Sequence, residues 1–426
     1  MAHDKITFWI MRHRKPSILV IFLSVFIDLI GFGIVLPLLP GFIEDCFKTD
    51  SSCKGLVIGL LIGSFSAMQF LFAPAWGRLS DRIGRRPVML ISNLGASGSY
   101  ALFALGCAHI RALNGVETQF AALGLLLLSR VFAGVCGANL SVASAYIADI
   151  SPPEKRSARM GLIGMAFGLG FIFGPALGAF SVEWFGRQGP GWVAASICAF
   201  NFLLGWIILG ESRAPGSAKA VPRPKLSQWS HTLSQPQLGL LITIFFLATF
   251  CFTCFESTFP LLARHRFGMD KQELNHRVGF LFTYAGVIAA LVQGVMGRII
   301  RRFGEPKLIC WSLVVFSIGL AFLPYASTLK EILVVLALLA IGSGLNRPPV
   351  FGMISLNSSA DEQGANLGVA QSFGALARML GPVFASTLFF VHDALPYLIC
   401  GVLALVTAFV AYGRLGKAKT AKSALS

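Results

Sequence analysis

Apolar runs about twenty residues long, separated by short polar stretches, recur from one end of the chain to the other. The runs at 55–76, 88–110, 160–182, 188–210, 308–329 and 394–413 contain no charge. Those at 17–40, 120–148, 237–260, 332–356 and 363–391 each carry a single charge inside an otherwise apolar sequence. With 278–297 the pattern predicts twelve spans. At 1.5 Å per residue each crosses a hydrocarbon core about 30 Å thick. Lipid offers backbone groups no hydrogen-bond partners, so each span closes its own ladder as an α-helix.

Composition agrees with that pattern. Apolar residues make up 55% of the 426 positions and charged residues 13%, too little charge to clothe a soluble surface of this size. The chain reads as an all-α, multi-pass membrane protein with the lipid bilayer as its solvent. The net charge of +16 does not imply nucleic acid, because the basic residues sit in short clusters between apolar runs. With the N-terminus placed in the cytoplasm, inward segments hold 23 Lys or Arg and outward loops hold 9, so both termini are expected inside. The outward loop 264–277 runs against that bias. No cleavable leader is apparent before the first span. The expected location is the cell membrane, the inner one if the source is bacterial.

The Pro-rich stretch 211–236 predicts a cytoplasmic linker between an N-terminal six-helix bundle (1–210) and a C-terminal one (237–426). The halves echo each other. Gly77-Arg78-Leu79-Ser80-Asp81-Arg82-Ile83-Gly84 after span 2 is answered by Gly297-Arg298-Ile299-Ile300-Arg301-Arg302-Phe303-Gly304 after span 8. Gly137-Ala138-Asn139 is answered by Gly344-Leu345-Asn346, and Gly174-Pro175 by Gly381-Pro382. Three echoes in order indicate duplication, which in transporters goes with a midplane site and alternating access.

Charges inside spans are costly and mark function. Asp28 lies halfway along span 1, and a carboxyl in apolar surroundings suits proton exchange near neutral pH. Permanent pairing with an Arg of another helix is the competing structural role. Glu256 in span 7 is the second candidate, with a solvated helix-end acid as its alternative. Arg130, Arg347 and Arg378 lie on spans 4, 10 and 11, and the five charges leave an excess positive charge. That excess suits an anionic or zwitterionic small-molecule substrate held by Arg347 and Arg378. Pairing of each Arg with an acid or a helix end stays open. Asn139 and Asn346 are candidate substrate contacts, while Gln69 and Gln293 are further polar groups within spans; for all four, helix–helix hydrogen bonding competes.

These residues resemble the major facilitator superfamily over essentially the whole chain. The loop Gly77 through Asp81, Arg82, Gly84, Arg85 and Arg86 matches that superfamily's signature between spans 2 and 3. Arg130-Val131-Phe132-Ala133-Gly134 looks like its span 4 motif, and Gly170 through Gly174-Pro175 to Gly178 like the span 5 motif of exporters running against protons. The opening Asp28-Leu29-Ile30-Gly31-Phe32-Gly33 through Pro37 to Pro40 is similar to tetracycline/proton antiporters and their vertebrate organic-anion relatives. The resemblance implies a twelve-span drug/proton antiporter with a proton-relay role for Arg130. It also implies a cytoplasmic gate in which Asp81 meets the N-terminal end of span 11 and Arg85 reaches Asp149. Arg301 stands where the first copy has Asp81, so the full gating role is expected of the first copy only.

Other residues carry less. Cys251 and Cys254 share a C-x-x-C spacing within span 7 and read as packing, and the seven His form no metal motif. Cys46 and Cys53 share an outward loop, and whether they form a disulfide stays open. No P-loop occurs, no cofactor is implied, and no paired nucleophile and base suggests an enzyme. The expected activity is proton-coupled export of an amphiphilic or organic-anion small molecule by a monomer. Uptake or facilitated diffusion of a metabolite, and a non-transporting receptor or scaffold, are the alternatives.

Overall fold

A computed structural model describes residues 16–35, 53–111, 116–212, 225–267, 271–359 and 361–423. Its helices are α1 (Ile18–Val35), α2 (Cys53–Ile83), α3 (Arg85–Arg111), α4 (Val116–Gly137), α5 (Leu140–Asp149), α6 (Pro153–Phe185) and α7 (Gly189–Ile208). They continue with α8 (Lys225–Ser234), α9 (Pro236–Phe267), α10 (Lys271–Phe303), α11 (Glu305–Phe322), α12 (Leu329–Leu356), α13 (Gln363–Val391) and α14 (Leu395–Ser423). Eleven stretches among the described residues are long and apolar enough to cross a bilayer, α4 and α5 together forming one of them. α2 contains the remaining predicted span. The possible Cys46–Cys53 pair lies outside the residues whose side chains are described, as do Pro37, Pro40 and most of the linker.

The chain divides into two compact units. One takes in the described residues of Met1–Ile150, Leu169–Gln228 and Ser358–Ser372; the other takes in Ser151–Gly168, Trp229–Asn357 and Phe373–Ser426. Helices α6 and α13 each contribute one segment to each unit. The first unit has a core of Ile34, Tyr100, Phe103, Leu126 and Ala194, and the second one of Phe255, Phe259, Phe316, Leu336 and Tyr397. Large rings remain outside, such as Phe390, Trp184 and Phe409, as hydrocarbon solvent permits.

Local sequence explains the ends of several elements. Gly84 and Gly304 hold φ of 99° and 77° at matching places in the two loop echoes, a left-handed conformation that favours glycine. Thr328 and Glu331 form a reciprocal capping box at the start of α12.

Span 4 departs from the single helix expected over 120–148, because α4 ends at Gly137 and α5 begins at Leu140. Three successive carbonyls at the break accept side-chain donors from neighbouring helices. Trp76 Nε1 donates to Val135 at 2.6 Å, Ser92 Oγ to Cys136 at 2.5 Å and Gln69 Nε2 to Gly137 at 3.1 Å. Local backbone bonds there shorten to a three-residue spacing, including Asn139 N to Cys136 O at 3.2 Å. The second half repeats one of these contacts: Gln293 Nε2 donates to Gly344 at 2.9 Å.

Candidate functional site

Asp28 is half-buried on α1 and is met by carboxamides from three elements of its own unit. Asn139, at the break before α5, donates Nδ2 to Oδ2 at 2.8 Å. Asn201 of α7 donates Nδ2 to Oδ1 at 2.9 Å and to the Ser24 carbonyl at 2.8 Å. Asn93 of α3 completes the shell. With its amide nitrogen turned to the acid, Nδ2 lies 3.1 Å from Asp28 Oδ2, and its oxygen accepts from Asn201 Nδ2 at 3.1 Å. These amides hold the carboxylate by dipoles without neutralising it. Among the described residues, no ion pair joins Asp28 to an arginine.

Arg130 is 1% exposed on α4, and its guanidinium carbon lies 4.8 Å from the Phe65 ring centroid. Among the described residues its Nε and Nη2 have no hydrogen-bond partner. Close packing encloses it, because Gly134 presses on the backbone of Phe65 where a Cβ would collide. A buried guanidinium against an aromatic face keeps capacity to donate hydrogen bonds.

The second unit contains Glu256 on α9, Arg347 on α12 and Arg378 on α13, all partly buried. Glu256 and Arg378 lie within electrostatic range of one another, as do Arg378 and Arg347. Three rings surround the Arg347 guanidinium, with centroids at 4.9 Å (Phe167), 5.1 Å (Phe351) and 5.8 Å (Phe245). Its Nη2 is buried without a hydrogen-bond partner among the described residues. Asn346, the neighbour expected to share substrate contact, donates Nδ2 to Ser312 Oγ at 3.0 Å between α12 and α11. Cys251 and Cys254 donate their thiols to the carbonyls of Cys400 and Gly381. Among the described residues no group of three His, Cys, Asp or Glu is placed to hold a metal ion.

At the far end of the first unit lies a denser cluster. Arg85, fully buried, pairs through Nη1 with Asp81 at 2.7 Å and through Nε with Asp149 at 3.0 Å. Its Nη1 also donates to Ser80 Oγ at 2.6 Å. Asp81 in turn accepts from the backbone N–H groups of Gly364 and Ala365 at 3.3 and 3.1 Å, in the first turn of α13. Those N–H groups are the otherwise unsatisfied donors of a helix start, and they carry its positive pole. Gln363 Nε2 donates to Asp149 at 3.2 Å. Gly77 is required here, since a Cβ would strike the Gly364 carbonyl.

Gly84 turns the chain from α2 into α3, and Arg86 donates Nη2 to the Trp206 carbonyl at 2.8 Å. Arg82 is exposed. Gly174 on α6 faces Gly33 on α1 so closely that a Cβ would lie 2.5 Å from the Gly33 carbonyl carbon. α6 stays helical through Pro175.

Sequence reading missed Asn93 and Asn201, whose only signal was polarity inside apolar runs. It also missed Glu211, which accepts from the backbone N–H groups of Arg85 at 2.9 Å and Arg86 at 3.1 Å and so caps α3. By composition Glu211 is the first residue of the Pro-rich stretch 211–236.

A family model described as Major Facilitator Superfamily matches residues 21–275 and 267–425. The class C tetracycline resistance protein of Escherichia coli is 31% identical over 382 residues, covering 88% of this chain and 89% of that protein. Major facilitator superfamily domain-containing protein 10 of Bos taurus is 30% identical over 446 residues, covering 93% of each chain. The crystal structure of the human organic anion transporter MFSD10 (TETRAN) superposes with a TM-score of 0.78 at 27% identity, covering 93% of this chain and all of that one.

Proposed function

The chain belongs to the major facilitator superfamily, a family of transporters rather than enzymes, and on that premise we propose that it is a proton-coupled antiporter. The twelve-span, two-bundle membrane fold is common ground with those relatives. The finer reading is export of an amphiphilic or organic-anion small molecule, for which the tetracycline resistance and organic anion transporter names of its relatives provide the precedent.

One observation carries the coupling: a mid-span acid whose hydrogen-bond partners are neutral amides rather than a cation. An acid so held changes charge when it takes up a proton, whereas a permanent ion pair would resist that change. In the proposed cycle a proton enters from outside and binds Asp28, with Glu256 or Arg130 assisting, and its release inward accompanies substrate exit. The membrane potential adds about 2.3 kcal/mol per charge per 100 mV to any step that moves net charge. Substrate contacts are assigned to Asp28, Asn139, Asn346, Arg347 and Arg378, the two arginines taking the anionic group.

The gate is assigned to Gly77, Asp81, Arg82, Gly84, Arg85, Arg86 and Asp149, with Gly174 and Pro175 shaping span 5. The Asp81 cluster would face the cytoplasm, as would both termini, in line with the Lys and Arg bias. We take the working molecule as a monomer of two halves, 1–210 and 237–426, joined by 211–236.

The test is purified protein in liposomes under an imposed pH gradient. Proton flux on addition of a substrate, lost in Asp28→Asn, supports the proposal. Substrate equilibration without proton movement overturns the coupling, and no flux for a broad panel of compounds overturns transport.

A further inference from the structure

The loop after span 8 differs from its counterpart after span 2 by an exchange of charge. The register that aligns Gly77 with Gly297 and Gly84 with Gly304 places Arg301 opposite Asp81 and Glu305 opposite Arg85. The acid has moved one helical turn along, from before the glycine to after it. Arg301 is exposed and donates Nε to the Gly297 carbonyl of its own helix, at 3.3 Å.

The acid reaches a matching target. The register that aligns Gly174-Pro175 with Gly381-Pro382 places Ser157 opposite Gly364, the residue whose N–H bonds Asp81. Ser157 lies in the first turns of α6, is fully buried, and donates its hydroxyl to Glu305 Oε1 at 3.0 Å. Both residues belong to the second unit. Small residues let this part of α6 approach: Gly352 meets Ser157 where a Cβ would collide, and a Cβ on Gly297 would lie 3.4 Å from Ala158. Gly161 and Gly164 lie against the Gln293 side chain.

We infer that Glu305 and Ser157 form a second latch, which holds the start of α6 to α11 and must release when the inner side opens. The inference rests on the alternating-access reading above. It replaces the expectation that the first copy alone gates, because the second copy keeps the acceptor at a shifted position and replaces a main-chain donor with a hydroxyl.

The test uses the full chain in nanodiscs, spin-labelled at Lys155→Cys and Lys307→Cys, both exposed and each two residues from the contact without being part of it. Electron–electron resonance distances then report separation of the α6 start from α11. Glu305→Ala and Ser157→Ala should each raise the longer-distance population about tenfold, the scale of losing one hydrogen bond to a charged group. Their combination should add nothing further, and Glu305→Gln, which retains an acceptor oxygen, should stay near the parent distribution. Unchanged distances in both alanine variants, or effects that simply add, overturn the latch. A failure of substrate-dependent proton flux with the distance changes intact would count against the antiporter reading alone. If one variant does not fold, the other still decides.

Discussion

Asn201 Nδ2 lies 2.9 Å from Asp28 Oδ1, and the same nitrogen reaches the Ser24 carbonyl at 2.8 Å. One amide therefore ties the acid to the backbone of its own helix one turn earlier. Asn201 is fully buried, so water does not replace it readily. We expect Asn201→Leu to fold and to reduce coupled flux about tenfold, in line with losing a bond to a charged group. Flux equal to the parent protein, measured in the same liposomes, would show that the shell does not set the acid's behaviour.

Asp81 and Arg85 separate gating from stability. Asp81→Asn keeps one of the two oxygens that accept from the Gly364 and Ala365 N–H groups, weakens the contact without removing the side chain, and should leave substrate binding nearly intact while slowing turnover. Arg85→Ala removes the cation from between Asp81 and Asp149 and should destabilise the fold by about 3–5 kcal/mol. Thermal unfolding in detergent and initial transport rates measure the two effects. Loss of binding in well-folded Asp81→Asn protein would merge gate and pocket.

Arg347 gives the opposite signature. Among the described residues no carboxylate forms an ion pair with it, and its charge is surrounded by rings. Arg347→Met should therefore preserve or raise the melting temperature while weakening binding of anionic substrates by at least about tenfold. A large drop in melting temperature with anion binding unchanged would make the guanidinium a structural group.

Glycine contacts provide an internal comparison. A Cβ on Gly174 would meet the Gly33 backbone, whereas one on Gly98 or Gly294 meets nothing within 4 Å. Gly174→Ala should cost about 1–3 kcal/mol and transport activity. Gly98→Ala and Gly294→Ala should be neutral or stabilising, by up to about 1 kcal/mol. Equal behaviour of the three variants in thermal unfolding and transport would remove the packing argument.

The features legible in sequence are those encoded locally. Apolar length gave the spans, and the isolated charges at 28, 130, 256, 347 and 378 stood out against it because each is costly where it lies. What joins distant helices was not legible. Nothing near Asn93 or Asn201 says that they converge on Asp28, since each is one polar residue in an apolar run. The Phe cage of Arg347 was hidden by abundance, because lipid-facing rings look the same in sequence as rings around a guanidinium. The break at Asn139 depends on donors from α2 and α3, so no window over span 4 alone contains its cause.

That break has a mechanical corollary. Helix α5 begins beside Asn139, which touches Asp28, and ends with Asp149, which touches Arg85. Its ten residues, buried from Leu140 to Ala148, make a rod about 15 Å long with no glycine or proline inside it. Tilting it at the acid displaces its other tip at the arginine, so a local event at one end arrives at the other as motion, without a chain of intermediate contacts to carry it.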